Sequence, residues 1–203
     1  MSNLWSIGSG KMENIPSLNS NTRTNPYCIK MYNSGNENII CTHCYSMTML
    51  STFRKNCEPK FEKIGTMLSS VVYKHEDLIK LGTLSNRLVN RIHSHVELIN
   101  TKHLENIFSI CENQPRLTFS LWTKRKDFVS YVLRKRVKPE NIILIYSNPR
   151  IDKIMTRVPK NFDKVFNNVR ESSDQENCFG RCIDCMKCYT IGDSTNQIVE
   201  KIK

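Results

Sequence analysis

Four thiols fall within eleven residues in the segment Cys178-Phe-Gly-Arg-Cys182-Ile-Asp-Cys185-Met-Lys-Cys188, at separations of four, three and three. Such crowding suits a cubane [4Fe–4S] cluster, in which each sulfur takes a different iron and one irregular loop wraps the cofactor. Zinc ribbons and fingers pair two close cysteines with two more distant ligands, so zinc is the alternative cofactor. A second group lies upstream, Cys28 and then Cys41-Thr-His-Cys44. Its three thiolates fall one short of what a cubane needs. A cluster held that way keeps an iron open to a substrate or an exogenous ligand. Two rival readings of the second group stand beside this: a thioredoxin-like redox pair, or a zinc site using His43. One or two [4Fe–4S] clusters fit, and a single site drawing ligands from both groups would clip distant parts of the chain together.

The chain has nine cysteines, an odd number. Nothing at the start resembles a secretory signal, and no uninterrupted apolar run approaches the roughly 20 residues needed to cross a bilayer. A cytoplasmic protein is expected, and a reducing cytosol turns a cysteine-rich pattern toward metal or redox chemistry rather than disulfides. Cys57 and Cys111 sit alone among apolar neighbours and read as small core residues. The formal net charge is +11. That suggests an anionic partner, although metal-bound thiolates would cancel part of it. The densest basic stretches, Lys124–Asp127 and Arg134–Lys138, flank a helix-like segment. They offer a nucleic-acid surface or simply the wet side of that helix.

These residues need a scaffold, and 203 residues with 39% hydrophobic content suffice for one core. The expected plan is a single α/β domain: a loop-rich part over 1–45 with the first cysteine group, a βα core over 46–170, and a cysteine-rich segment over 171–203. Residues 4–7 read as a short opening strand. Residues 45–72 read as one or two helices broken near Pro59, with a short helix after His75. Strands are expected over 87–93, 117–122 and 142–146, helices over 101–111 and 126–135, a short helix over 151–155, and a last strand over 164–169. The tail over 197–203 is expected to fray. Successive βα units imply a parallel sheet, as a partial TIM-like barrel or an open sheet, with the site at the carboxyl ends of its strands.

His93, His95 and Glu97 alternate in sequence after Arg91. On an extended strand all of them would share one face, a polar surface suited to proton transfer or to an anionic substrate. The competing reading is an exposed edge strand whose polar residues are merely solvated. Trp122 and Thr123 fall where a strand should end, lining a site or filling the core. No Walker motif, Rossmann glycine fingerprint or nucleophile elbow is present, which argues against ATPase, dehydrogenase and hydrolase chemistry.

The chain resembles the phage family called gene product eighty-eight and related phage proteins of unassigned function. The resemblance rests on Lys11-Met12 followed by Pro16-Ser17, on Cys28, and on Cys41-x-x-Cys44-Tyr45, similar to that group's CxxCYA. Arg91-Ile-His93-Ser-His95-Val-Glu97 resembles its segment F-R-W-H-x-S-G-D, and Thr118–Lys124 its F-W-x-P-T-R. Ser46 stands where that group has alanine, and His95-Val96-Glu97 where it has Ser-Gly-Asp. The resemblance implies an iron–sulfur protein of viral origin with a barrel-like α/β core, active in the cytoplasm of the host. It is distantly reminiscent of radical S-adenosylmethionine enzymes. Cys178-x3-Cys182-x2-Cys185 has the spacing of their motif, but it follows the last expected strand rather than the first.

Together these readings predict an iron–sulfur enzyme with cofactor and metal ligands Cys28, Cys41, Cys44, Cys178, Cys182, Cys185 and Cys188, and catalytic candidates His93, Glu97 and Arg91. The expected chemistry is redox or radical, on a small or nucleotide-like substrate. The alternative is a module without catalysis whose cysteines hold zinc and whose basic surface binds nucleic acid or a host protein.

Overall fold

A computed structural model describes residues 4–202. Its centre is a seven-stranded sheet whose spatial order follows the chain. The strands are β1 (Ser6–Ile7), β2 (Pro16–Leu18), β3 (Val89–Ile92), β4 (Thr118–Thr123), β5 (Ile142–Ile151), β6 (Lys164–Val169) and β7 (Gln197–Lys201). Only the β1–β2 pair is antiparallel. The helices are α1 (Pro26–Tyr32), α2 (Tyr45–Ser51), α3 (Glu58–Ser70), α4 (His75–Lys80), α5 (Thr101–Glu112), α6 (Lys126–Val132) and α7 (Cys182–Cys185). The protein is thus α/β with a mostly parallel sheet.

Period-two alternation divides each strand between two differently covered faces. Leu18, Ile92, Phe119, Leu121, Ile142 and Leu144 point to one face, where Ile64 and Leu68 of α3, Leu104, Ile107 and Phe108 of α5, and Val129 and Val132 of α6 pack on them. This is the main core, and each fully buried aliphatic or aromatic side chain in it contributes roughly 1.5–3 kcal/mol. The opposite face carries Trp122, Ile143 and Ile145, and no long helix covers it. Tyr189, Met186, Cys182 and Cys188 of the C-terminal segment pack there instead.

Several expectations change in detail. Residues 151–155 form no helix: β5 runs on to Ile151, and Asp152 turns the chain with φ 58°. The strand at Lys164–Val169 is not the last. The tail does not fray over 197–201, because β7 lies parallel to β6 with Ile198 and Val199 buried. Two elements emerge inside the loop-rich start, β2 and α1. Asn25 caps α1 by accepting from the N–H groups of Tyr27 and Cys28, with Pro26 at the first helical position. The break between α2 and α3 falls just before Pro59, which sits in the first turn of α3. Cys111 is fully buried in the main core and Cys57 packs beside Met49, Leu50 and Phe61, as expected for structural thiols.

Candidate functional site

The largest departure from expectation lies just past β3. The strand ends at Ile92, and His93 and Val96 take φ of 62° and 86°. A left-handed conformation is costly for a β-branched valine, and such strain persists only where the surroundings over-determine it. Arg91, His93, His95 and Glu97 therefore do not share one strand face. They are distributed among three environments, and only Arg91 stays on the face expected for it.

Glu97 turns to the carboxyl end of β4. Its carboxylate accepts from the Thr123 hydroxyl, from the Lys124 N–H at 2.6 Å and from the Leu98 N–H at 2.8 Å. Burial pushes its pKa up, and Lys124 and these hydrogen bonds oppose the shift. Around this pair stand the N-terminal thiols. Cys28 feels Glu97, Lys124, Cys44 and Cys41 beyond the desolvation that raises its pKa, and Cys41 is likewise raised by burial and lowered by Lys124. Burial lowers the pKa of the Lys124 ammonium, but Cys41, Glu97, Cys28 and Cys44 reverse this, and the net shift is upward. The Lys124 ammonium also donates to Ser147 Oγ at 3.1 Å.

Helix α1 and the turn that leads into α2 deliver these thiols, Cys28 from the first and Cys41 and Cys44 from the second. The Asn25 side-chain amide donates to the Glu97 carbonyl at 2.8 Å, fastening α1 and Cys28 to the loop after β3. The turn with Cys41 is fastened to the outer end of β5, where the Ile40 N–H donates to the Pro149 carbonyl and the Ile151 N–H to the Asn38 carbonyl. Cys44 begins α2 as its N-cap. His43 turns away, its Nε2 lying 3.1 Å from the Glu37 carboxylate. The group thus gathers at the carboxyl ends of parallel strands, where sites in such sheets are usually found.

The C-terminal thiols occupy the helix-free face. Ser120 Oγ donates to the Cys188 carbonyl at 2.5 Å, and Lys11 donates to the Cys178 carbonyl and to Glu200, tying the segment to the sheet and to the N-terminal turn. Arg91 lies at its centre: its guanidinium sits 3.8 Å over the Trp122 ring, and its charge reaches Cys182, Cys188 and Tyr189. Burial pushes the Cys188 thiol up to about 12 against that positive field. Cys188 interacts with Cys178, Cys182 and Cys185 as well, so all of the C-terminal thiols belong to one neighbourhood. The two groups face different cations, Lys124 for the first and Arg91 with Lys11 for the second.

Beside Arg91 the structure leaves hydrogen-bonding capacity unused. Arg91 Nε, Trp122 Nε1 and both ring nitrogens of His93 are buried without a hydrogen-bond partner, and the Tyr189 hydroxyl has only Arg91 and Cys182 within reach. The His93 ring meets only the edge of His103, at 5.1 Å between centroids. His95 packs instead between Phe61 and Tyr45. All nine cysteines are free thiols, and among the described residues no three His, Cys, Asp or Glu side chains converge closely enough to hold a metal ion.

The sequence places Lys124 only in a basic stretch and in the Thr118–Lys124 resemblance, and does not mark Tyr189 as a site residue. Tyr189 could have been suspected from its place directly after the last cysteine, and Lys124 from its place directly after a predicted strand. Among the described residues no helix is long and apolar enough to cross a membrane. The chain matches no known family model, no curated protein and no solved structure.

Proposed function

We propose that this chain is an iron–sulfur protein whose C-terminal thiols, Cys178, Cys182, Cys185 and Cys188, hold one [4Fe–4S] cluster, and whose Cys28, Cys41 and Cys44 hold another. The observation that carries the reading is the pair of unpartnered donors, Arg91 Nε and Trp122 Nε1, beside the second thiol group. Buried donors without acceptors are costly, and cluster sulfides and thiolates are acceptors that would use them. The donor set fits the group in a second respect: each thiol group has its own cation, which favours thiolate over thiol. The thiols are not yet at ligation distance, so binding draws the Cys178–Cys188 segment and the loops around Cys41 inward.

A cluster supplies one-electron chemistry when bound. The residues of the chain do the rest at the first group: Glu97 holds the Thr123–Lys124 strand end in place, and Lys124 keeps positive charge beside the thiols. This arrangement suits a redox or radical enzyme acting on a small or nucleotide-like substrate at the carboxyl ends of the strands. We read the sheet as a partial, TIM-like barrel with the C-terminal segment packed into its interior, in keeping with the phage family that the sequence resembles.

The test is anaerobic purification followed by metal and sulfide analysis. A brown protein absorbing near ~400 nm with about eight iron and eight sulfide per chain is expected. Colourless protein with stoichiometric zinc overturns the reading. Salt-sensitive binding of that zinc form to DNA or RNA would support the binding module instead.

A further inference from the structure

Beyond the thiols, a cavity of about 540 Å³ opens at the outer end of β5, lined by Lys126, Tyr146, Asn148, Arg150, Lys153 and Met155 among others. Its floor is built and its rim is charged. Tyr146 and Asn148 are buried. The Asn148 amide donates to the Lys153 carbonyl at 2.6 Å and to Asn167 Oδ1 at 3.0 Å, and Asn167 Oδ1 also accepts from the Met155 N–H. The turn over 152–155 is thereby fixed rather than loose. Lys126, Arg150 and Lys153 are exposed, and among the described residues none of them forms an ion pair; the Lys126 ammonium rests 4.9 Å over the Tyr146 ring. Asp152 is the one acid in the lining, and it is engaged outside the cavity by Arg170 at 2.6 Å.

We infer that this cavity binds a phosphorylated small molecule of mononucleotide size, its phosphate held by Lys126, Arg150 and Lys153 and its apolar body laid along Ile154 and Met155. The volume lies in the range of small-molecule sites, and a fixed polar floor beneath a rim of unpaired cations is what an organic anion needs. A nucleic-acid strand is the poorer match, because the cations ring a hollow instead of following a groove. Place also matters. The cavity adjoins the turn that carries Cys41, for Ile39 bridges to Arg150 and Ile40 bonds to Pro149. The inference thus assigns the substrate class of the proposed enzyme, and it rests on that reading for the ligand's fate but not for its binding.

Calorimetric titration with AMP, inorganic phosphate and adenosine tests it, on iron-loaded and on metal-free protein, with iron counted separately. AMP is expected to bind one to one, at least about tenfold more tightly than phosphate or adenosine alone. The double variant Arg150→Ala with Lys153→Ala should weaken AMP at least about tenfold, while Arg150→Lys keeps most of the affinity. Unchanged AMP binding in the double variant overturns the site. So does failure of AMP to bind the intact protein, or displacement of AMP by a single-stranded oligonucleotide with a steep salt dependence. AMP binding to protein that takes up no iron on anaerobic reconstitution would keep the cavity and sink the iron–sulfur reading; iron uptake without AMP binding would do the reverse.

Discussion

The two thiol groups sit in opposite states of completion. Around the first, every element is satisfied: Glu97 accepts from Thr123, Lys124 and Leu98, Asn25 bridges α1 to the Glu97 carbonyl, and the Cys41 turn is stitched to β5. Around the second, Arg91 Nε and Trp122 Nε1 are buried with nothing to bond. One region is assembled from loops far apart in sequence and holds its shape through its own hydrogen bonds. The other is a single stretch of chain laid over a sheet face whose donors want an acceptor. The contrast teaches that thiol spacing alone does not tell how a site is supported: the dispersed group has the more fully hydrogen-bonded frame.

The strongest way to break the comparison is to remove one ligand from each group. Cys41→Ser and Cys185→Ser are each expected to lose about half of the iron and leave the other half in place, as counted by metal analysis under anaerobic conditions. If either change empties the protein of iron, the groups serve one site and the contrast collapses.

Next in size comes stability. Glu97→Ala strands three donors in a buried place and should cost about 2–4 kcal/mol in urea unfolding of the metal-free protein. Arg91→Met removes a cation whose Nε has no partner and whose remaining contacts are the Trp122 face and the Tyr189 hydroxyl, so the same measurement should show a smaller loss, about 1–2 kcal/mol. Equal losses would mean that the second region is as self-sufficient as the first.

Acid should act next, chiefly beneath the first region. Burial holds His103 at about 3, and burial with help from Arg91 and Arg54 holds His95 at about 4. Burial, His103 and Arg91 hold His93 well below its ordinary value. The unfolded chain takes up these protons near 6.5 and the folded one does not, so stability is whole above that pH and is lost as pH falls from 6.5 toward 3. Each such histidine steepens the loss by up to ~1.4 kcal/mol per pH unit. Replacing His103 by Gln should flatten the pH dependence of the urea midpoint; an unchanged slope would remove His103 from the account.

The smallest effect separates the two cations. Lys124→Met should slow iodoacetamide labelling of Cys41 severalfold and leave Cys182 alone, and Arg91→Met should do the opposite, read by peptide mass spectrometry. Crossed effects would show that the fields overlap.

Much of the scaffold was legible because its signals are local. Ile142–Tyr146 announces a buried strand by composition, and Thr101–Glu112 a helix by period. The loop after β3 was not legible. His93, His95 and Glu97 alternate as a strand would, and only the tertiary demand that Glu97 reach the Thr123 hydroxyl and the Lys124 N–H explains why the backbone turns at His93 and Val96. β7 was hidden for a related reason: Gln197–Lys201 is short and polar, and pairing with β6 rather than its own propensity makes it a strand. The cysteines could be read as two groups and Arg91 as a site residue, but the cation each group faces could not be assigned until the sheet puts Lys124 beside one and Arg91 beside the other.

The fastening of the C-terminal segment has a consequence in time. Residues 178–201 leave the ribosome after the six strands they cover or extend, so the sheet face bearing Arg91 and Trp122 stands open from the completion of β4 until they emerge. It closes only when β7 pairs with β6 and Lys11 reaches Glu200. Whatever comes to rest against those unused donors must arrive before that latch shuts, or wait for it to reopen.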